Sequence, residues 1–220
     1  MKLSKVWMIA SLIIITVLSI ITNSSIIQIV AAICGVIYVF GTATENRYGQ
    51  LFGMVNSGLY GIIMFNNKIF GTAIYDFIYC IPIQIYTFIN WGKNKQGEEK
   101  TKVSTYTKSQ RAIILLLTIL LVSIYCIIVT KFNFQFALID GISIILGVVG
   151  LYMTSKIKLE QWYVFIVSNI AMLVLWSVKT IEDISNLPML LMWIIYFVNN
   201  SYGLFSWSGK IKLENNEQKS

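Results

Sequence analysis

Eight residues in the last third of the chain could hold a flat, hydrogen-bonding molecule. Trp162, Phe165, Asn169 and Trp176 fall at i, i+3, i+7 and i+14, and Trp193, Tyr196, Asn200 and Trp207 repeat that spacing. On a helix each set shares one face. Aromatic rings stack on planar groups, and an amide both donates and accepts hydrogen bonds. Two helices presenting such faces to each other would line a pocket for a planar solute.

Further polar groups sit where leucine would cost less. Asn56, Gln84 and Asn199 lie within apolar runs, and of the ten acidic residues only Asp76 and Asp140 do. An ionisable group at membrane depth costs roughly 2.5–3.5 kcal/mol even on the lenient scale and is functional by default. Asp76, Cys80 and Gln84 are spaced i, i+4 and i+8, so Asp76 shares a face with an amide and is assigned to the site. Asp140 precedes Gly141 and reads equally well as an interfacial or capping group. The candidate site is therefore Asn56, Asp76, Gln84, Trp162, Phe165, Asn169, Trp193, Tyr196, Asn199 and Asn200. The bland alternative for the amides is helix-to-helix bonding. Trp91 and Trp207 end apolar runs and are expected to be interfacial belt anchors rather than solute contacts.

These residues need a bilayer-spanning frame. Of 220 residues, 56% are hydrophobic and 12% charged, against about 25% charged in a soluble domain. The chain is expected to be an all-α polytopic membrane protein. Taking runs of ~20 apolar residues as crossings predicts eight helices. They are Ser4–Ile21, Ser25–Ala43, Tyr48–Phe65, Ile69–Trp91, Ala112–Thr130, Phe134–Met153, Gln161–Val178 and Leu187–Trp207. Met1–Ile21 has a lysine-bearing start like a signal peptide, but no A-x-A-type site follows it, so it is read as a retained helix. The net charge of +7 lies in short loops, which points to membrane orientation, not nucleic acid. Lys68, Lys131 and Lys179 fall on one side and the other fourteen basic residues on the opposite side, placing both termini in the cytoplasm of a cell inner membrane. With no histidine, and with Cys34, Cys80 and Cys126 scattered in apolar runs, neither a metal nor a cofactor is expected.

An internal repeat is visible. A shift of 116 positions sets Gln84 on Asn200, Tyr86 on Tyr202 and Trp91 on Trp207; a shift of 113 sets Phe52 and Asn56 on Phe165 and Asn169. The expected organisation is an N-terminal helix (1–22), a three-helix repeat (23–92), a cytoplasmic linker with a connecting helix (93–133), a second repeat (134–208) and a tail (209–220). The halves are parallel, with the site between them, as in a 3+1+3 transporter. Pro82 implies a kink in helix four. Gly35, Gly53, Gly58, Gly61 and Gly71 are expected to permit close helix packing.

Leu138-x-Asp140-Gly141, Lys156-x3-Glu160-x-Trp162-x2-Phe165, Ile81-Pro82-Ile83-Gln84 with Trp91 seven residues on, and the Gly49-to-Tyr60 stretch resemble the PnuC-type vitamin transporters. The similarity runs from about Gly35 to Trp207. It implies a parallel 3+1+3 bundle of SWEET-like architecture, a homotrimer, and facilitated diffusion of a nucleoside-type vitamin trapped by a cytoplasmic kinase. Members carry nicotinamide riboside, thiamine, riboflavin or deoxynucleosides, and nicotinamide riboside is the favoured cargo here. Riboside carriers often place a second Trp where this chain has Phe165. A phosphorylated cargo would call for Lys or Arg in the pocket, and no span has one in its middle. An enzyme is disfavoured by the lack of histidine and of paired carboxylates; a sugar uniporter is the remaining alternative.

Overall fold

The computed structural model describes residues 2–93, 103–129 and 136–217. The expected linker residues 94–102, Lys131 and the expected helix ends at Thr130 and Phe134 lie outside them. Eight helices follow in order: α1 (Lys2–Ile21), α2 (Ile26–Ala43), α3 (Gly49–Asn66), α4 (Phe70–Lys93), α5 (Lys108–Val129), α6 (Ala137–Ser155), α7 (Gln161–Glu182) and α8 (Leu187–Glu217). A 3-10 turn, Ile184–Asn186, joins the last two. Six of the eight are long and apolar enough to cross a membrane. The apolar part of α1, Val6–Ile21, is shorter, and α3 is diluted by Gln50, Asn56, Ser57 and four glycines. The last helix runs ten residues beyond the expected end at Trp207.

Local chemistry accounts for the helix ends. Ser25 caps α2 in a reciprocal box: its hydroxyl accepts from the Gln28 backbone N–H, and the Gln28 side chain accepts from the Ser25 N–H at 3.1 Å. Gln28 also donates to Asn186 at 2.8 Å, fastening α2 to the turn before α8. The helices α1, α2, α3 and α6 each end on a left-handed residue, Asn23, Glu45, Lys68 and Ile157. In each, the next N–H bonds back five residues: Asn46 to Gly41 at 2.8 Å, Lys158 to Met153 at 3.0 Å. This is the Schellman stop, usually made with glycine. Ile157, at φ 55°, is β-branched and therefore strained there; its buried side chain holds it in place. On the other loop side, the Ser185 N–H donates to Asp183 at 2.9 Å and holds that carboxyl below its ordinary range.

In α4 the expected disturbance at Pro82 takes a definite form. Asp76–Cys80 is a π turn, in which the Ile81 N–H reaches back five residues to the Asp76 carbonyl. The wide turn lies just before the residue that has no N–H to give.

Six helices close into a ring in the order α2, α3, α4, α6, α7, α8, with α8 returning to α2. Outside the ring, α1 lies on α2 and α8, and α5 lies on α6. Glycines make several of these approaches possible. Gly41 and Gly49 meet backbone to backbone where α2 turns into α3, and a Cβ on Gly53 would come within 2.7 Å of the Tyr38 ring. Gly58 differs from the expectation, because no atom lies near its would-be Cβ.

At one end of the ring the C-terminal ends of α2, α4, α6 and α8 gather around a second core of Ala43, Trp91, Val103, Ile157, Leu159, Trp162 and Trp207. Trp91 and Trp207 are therefore not belt anchors; they are 1% and 0% exposed. They are covered because the linker returns across this end. Ser104 exchanges backbone bonds with Ile157 and Leu159, at 3.1 and 2.9 Å, and Glu160 accepts from the Tyr106 N–H at 2.9 Å and from Arg111 Nε at 2.8 Å.

Candidate solute cavity inside the helix ring

All six ring helices contribute to one cavity enclosing about 850 Å³ of empty space, the space at its opening included. Nine of the ten candidate residues line it: Asn56, Asp76, Gln84, Trp162, Phe165, Asn169, Trp193, Tyr196 and Asn200. Asn199 does not. Its amide donates to the Val39 carbonyl at 2.9 Å, so it bonds α8 to α2. Neighbouring helix positions point about 100° apart, so Asn199 and Asn200 cannot both face the centre. Asp140 also stays out of the wall. It accepts from the Thr72 hydroxyl between α4 and α6, packed against Gly71.

The two aromatic faces meet the cavity as expected over their first halves. Trp162 has its ring against Gly203, where a Cβ would come within 2.7 Å, and Trp207 stands edge-on behind it at 5.2 Å. Trp176 and Trp207, two turns further on, fall outside the wall. Trp176 instead donates to the Tyr60 hydroxyl at 2.6 Å, and Trp193 donates to the same oxygen at 3.1 Å. Tyr60 thereby fixes Trp193, whose ring centroid is 5.1 Å from that of Tyr196. The Tyr196 hydroxyl reaches Asn56 at 3.4 Å, and Asn56 donates to the Ala31 carbonyl at 2.8 Å. Oriented by its partners, Asn169 donates to the Phe165 carbonyl at 3.0 Å and accepts from the Asn200 amide at 2.9 Å. Gln84 donates to Ser57 at 3.3 Å.

Hydrogen bonds thus orient the rings of Tyr60, Trp193 and Tyr196, and packing against Gly203 and Trp207 holds Trp162. Three of its buried polar atoms have no partner: Asp76 Oδ2, Ser143 Oγ and Trp162 Nε1. Together they offer an acceptor, a group of either sense and a donor. None of the described lining residues is Lys or Arg. Among the described residues no cluster of His, Cys, Asp and Glu could hold a metal.

Tyr60, Tyr38, Tyr75, Ser143 and Met192 are wall residues that the spacing argument missed. Tyr60 was within reach of it, one helical turn after Asn56 on the same face of α3. Ser143 and Met192 carry no polar or aromatic signal strong enough to single them out from an apolar run.

Known proteins share this fold. The chain is 26% identical over 213 residues to the nicotinamide riboside transporter PnuC of Neisseria mucosa, covering 94% of this chain and 81% of that protein. Its fold matches a crystal structure of the vitamin B3 transporter PnuC with a TM-score of 0.83 at 24% identity, over 96% of this chain and 93% of the other. Residues 25–209, from the cap of α2 to just past Trp207, match the family described as nicotinamide mononucleotide transporter, a family of membrane transporters and not of enzymes, and the chain belongs to that family.

Proposed function

We propose that this chain carries nicotinamide riboside across a membrane, taking the unphosphorylated nucleoside and not the mononucleotide. The description of the family and that of the Neisseria relative differ by one phosphate. The cavity wall supports the second. A phosphate entering it would bring up to two negative charges into a space with a buried carboxylate and without Lys or Arg among its described residues. An unpaired buried ion costs several kcal/mol. Rings for stacking and amides for the carboxamide and ribose hydroxyls are all present. Phe165 in place of a second Trp keeps thiamine, riboflavin or a deoxynucleoside as the alternative cargo; family membership gives no support to a sugar uniporter.

The finer architecture belongs to the same proposal. All eight helices cross the bilayer, and α2–α3–α4 and α6–α7–α8 form parallel halves of a 3+1+3 bundle, each with a peripheral helix before it. Support comes from the placing of α1 on α2 and α5 on α6, and from matched tryptophans at the ends of α4 and α8. Both termini face the cytoplasm, as the basic residues at the linker end favour. The homotrimer, the passive mechanism and trapping by a cytoplasmic kinase rest on the family resemblance.

The test is competition against radiolabelled nicotinamide riboside in proteoliposomes, with thiamine, riboflavin and a deoxynucleoside as competitors. The riboside is expected to compete at least tenfold better than any of them; stronger competition by one of them would transfer the assignment to that cargo.

A further inference from the structure

Asp76 is the one formally charged side chain among the described residues of the cavity wall, and it has no counter-charge there. It is 5% exposed, and its Oδ2 is buried without a hydrogen-bond partner. Asp140, the other buried acid of this region, differs: the Thr72 hydroxyl satisfies it, and it stays outside the wall. The one basic side chain buried among the described residues, Lys179, is outside the wall as well. It pairs with Glu182 at 2.9 Å and lies over the Phe136 ring. Among the described residues, none supplies a cation to Asp76.

Two features of the local backbone adjoin this carboxylate. The π turn begins at Asp76 itself, and such turns are concentrated at functional sites. Gly61 of α3 clears the space beside it, since a Cβ there would lie 3.3 Å from the Asp76 Cβ and 2.9 Å from the Phe77 ring. A buried carboxyl without a counter-charge either holds a proton or pairs with a cation from elsewhere, and a cationic cargo can supply that partner.

We infer that Asp76 is the counter-ion of a cationic heterocycle and makes the cavity selective for an N-substituted aromatic cation over an uncharged ring of the same shape. This rests on the riboside reading above and deepens it. The ring nitrogen of nicotinamide riboside bears the positive charge, and the surrounding rings of Tyr60, Trp193 and Tyr196 present faces that attract cations as well. A neutral ring would leave the carboxylate unpaired, and an anionic one would oppose it.

Calorimetric titration of the purified full chain decides the matter with two probes. Nicotinamide riboside is compared with benzamide riboside, its uncharged carbon isostere with the same carboxamide and ribose. The wild type is expected to bind the cation at least tenfold more tightly, equivalent to about 1.4 kcal/mol. Asp76→Asn should shrink that preference to threefold or less, chiefly by weakening the cation, and Asp76→Glu should keep most of it. Equal affinity of the wild type for both probes overturns the counter-ion role while leaving the riboside reading intact, whether or not the variants fold. Asp76→Asn keeping the full preference also overturns it. Binding of neither probe overturns both.

Discussion

Trp91 and Trp207, 116 positions apart, make the same hydrogen bond on opposite sides of the ring. The indole of Trp91 donates to the Thr154 carbonyl near the end of α6, and that of Trp207 donates to the Ala43 carbonyl at the end of α2, both at 3.2 Å. In each case the third helix of one proposed half fastens the first helix of the other. Helix C-termini leave carbonyls without intrahelical partners; the Trp207 bond satisfies that of Ala43, and the Trp91 bond adds to the one Thr154 accepts from the Ile157 N–H. Trp91→Phe and Trp207→Phe should each destabilise the protein by about 0.5–2 kcal/mol, the scale of interhelical hydrogen bonds in membranes. The check is the melting temperature in detergent, and the two variants should fall by similar amounts.

The ring of Trp162 is held between Gly203 and Trp207. Trp162→Ala should weaken riboside binding by about 1–3 kcal/mol, by analogy with the stacking of bases on aromatic side chains. Gly203→Ala should weaken it as well, since the added methyl would push Trp162 out of place. Gly58→Ala is the control, with open space at its Cβ, and titration should find its affinity unchanged.

Asn199 and Asn200 separate structure from binding. Asn199→Ala removes an α8–α2 bond and should lower the melting temperature with affinity changed less than threefold. Asn200→Ala removes a wall amide and the partner of Asn169. It should cost about 1–3 kcal/mol of binding through polar groups left unpaired. Parallel melting and titration of the two variants checks the division.

The sequence made the helices and much of the wall legible, for the same reason. Residues that lipid disfavours stand out in apolar runs, and helical spacing tells which of them share a face. Trp162, Phe165 and Asn169 were therefore readable together. Spacing does not say where along each face the cavity stops, so it groups Trp176 with Asn169 and Trp207 with Asn200 although both pack behind. A terminal Trp in an apolar run ordinarily marks the interface, and Trp91 and Trp207 defied this because another segment covers them. That segment reads Val103-Ser104-Thr105, too short and polar to signal docking. The choice between Asn199 and Asn200 likewise depended on the rotation of α8, which only its packing against α2 and α7 determines.

The docked linker gives a prediction of its own. Glu160 holds both the Tyr106 N–H and Arg111 across the turn between α6 and α7. The side chain of Arg111 is half exposed, so the ion pair is worth at most about 1 kcal/mol. Arg111→Ala should therefore leave overall stability almost unchanged. Glu160→Gln weakens both bonds and should speed amide exchange at Ser104 and Tyr106 several-fold relative to the helix cores, read by hydrogen exchange with mass spectrometry.

The most direct test of the account compares cargo with and without its phosphate. Nicotinamide riboside and nicotinamide mononucleotide should be titrated separately into the purified chain under identical salt and pH. A wall with Asp76 and no described Lys or Arg predicts measurable binding of the riboside and at least tenfold weaker binding of the mononucleotide. Equal or tighter binding of the mononucleotide would contradict it, because the phosphate would then have found a cation that the described wall residues do not provide.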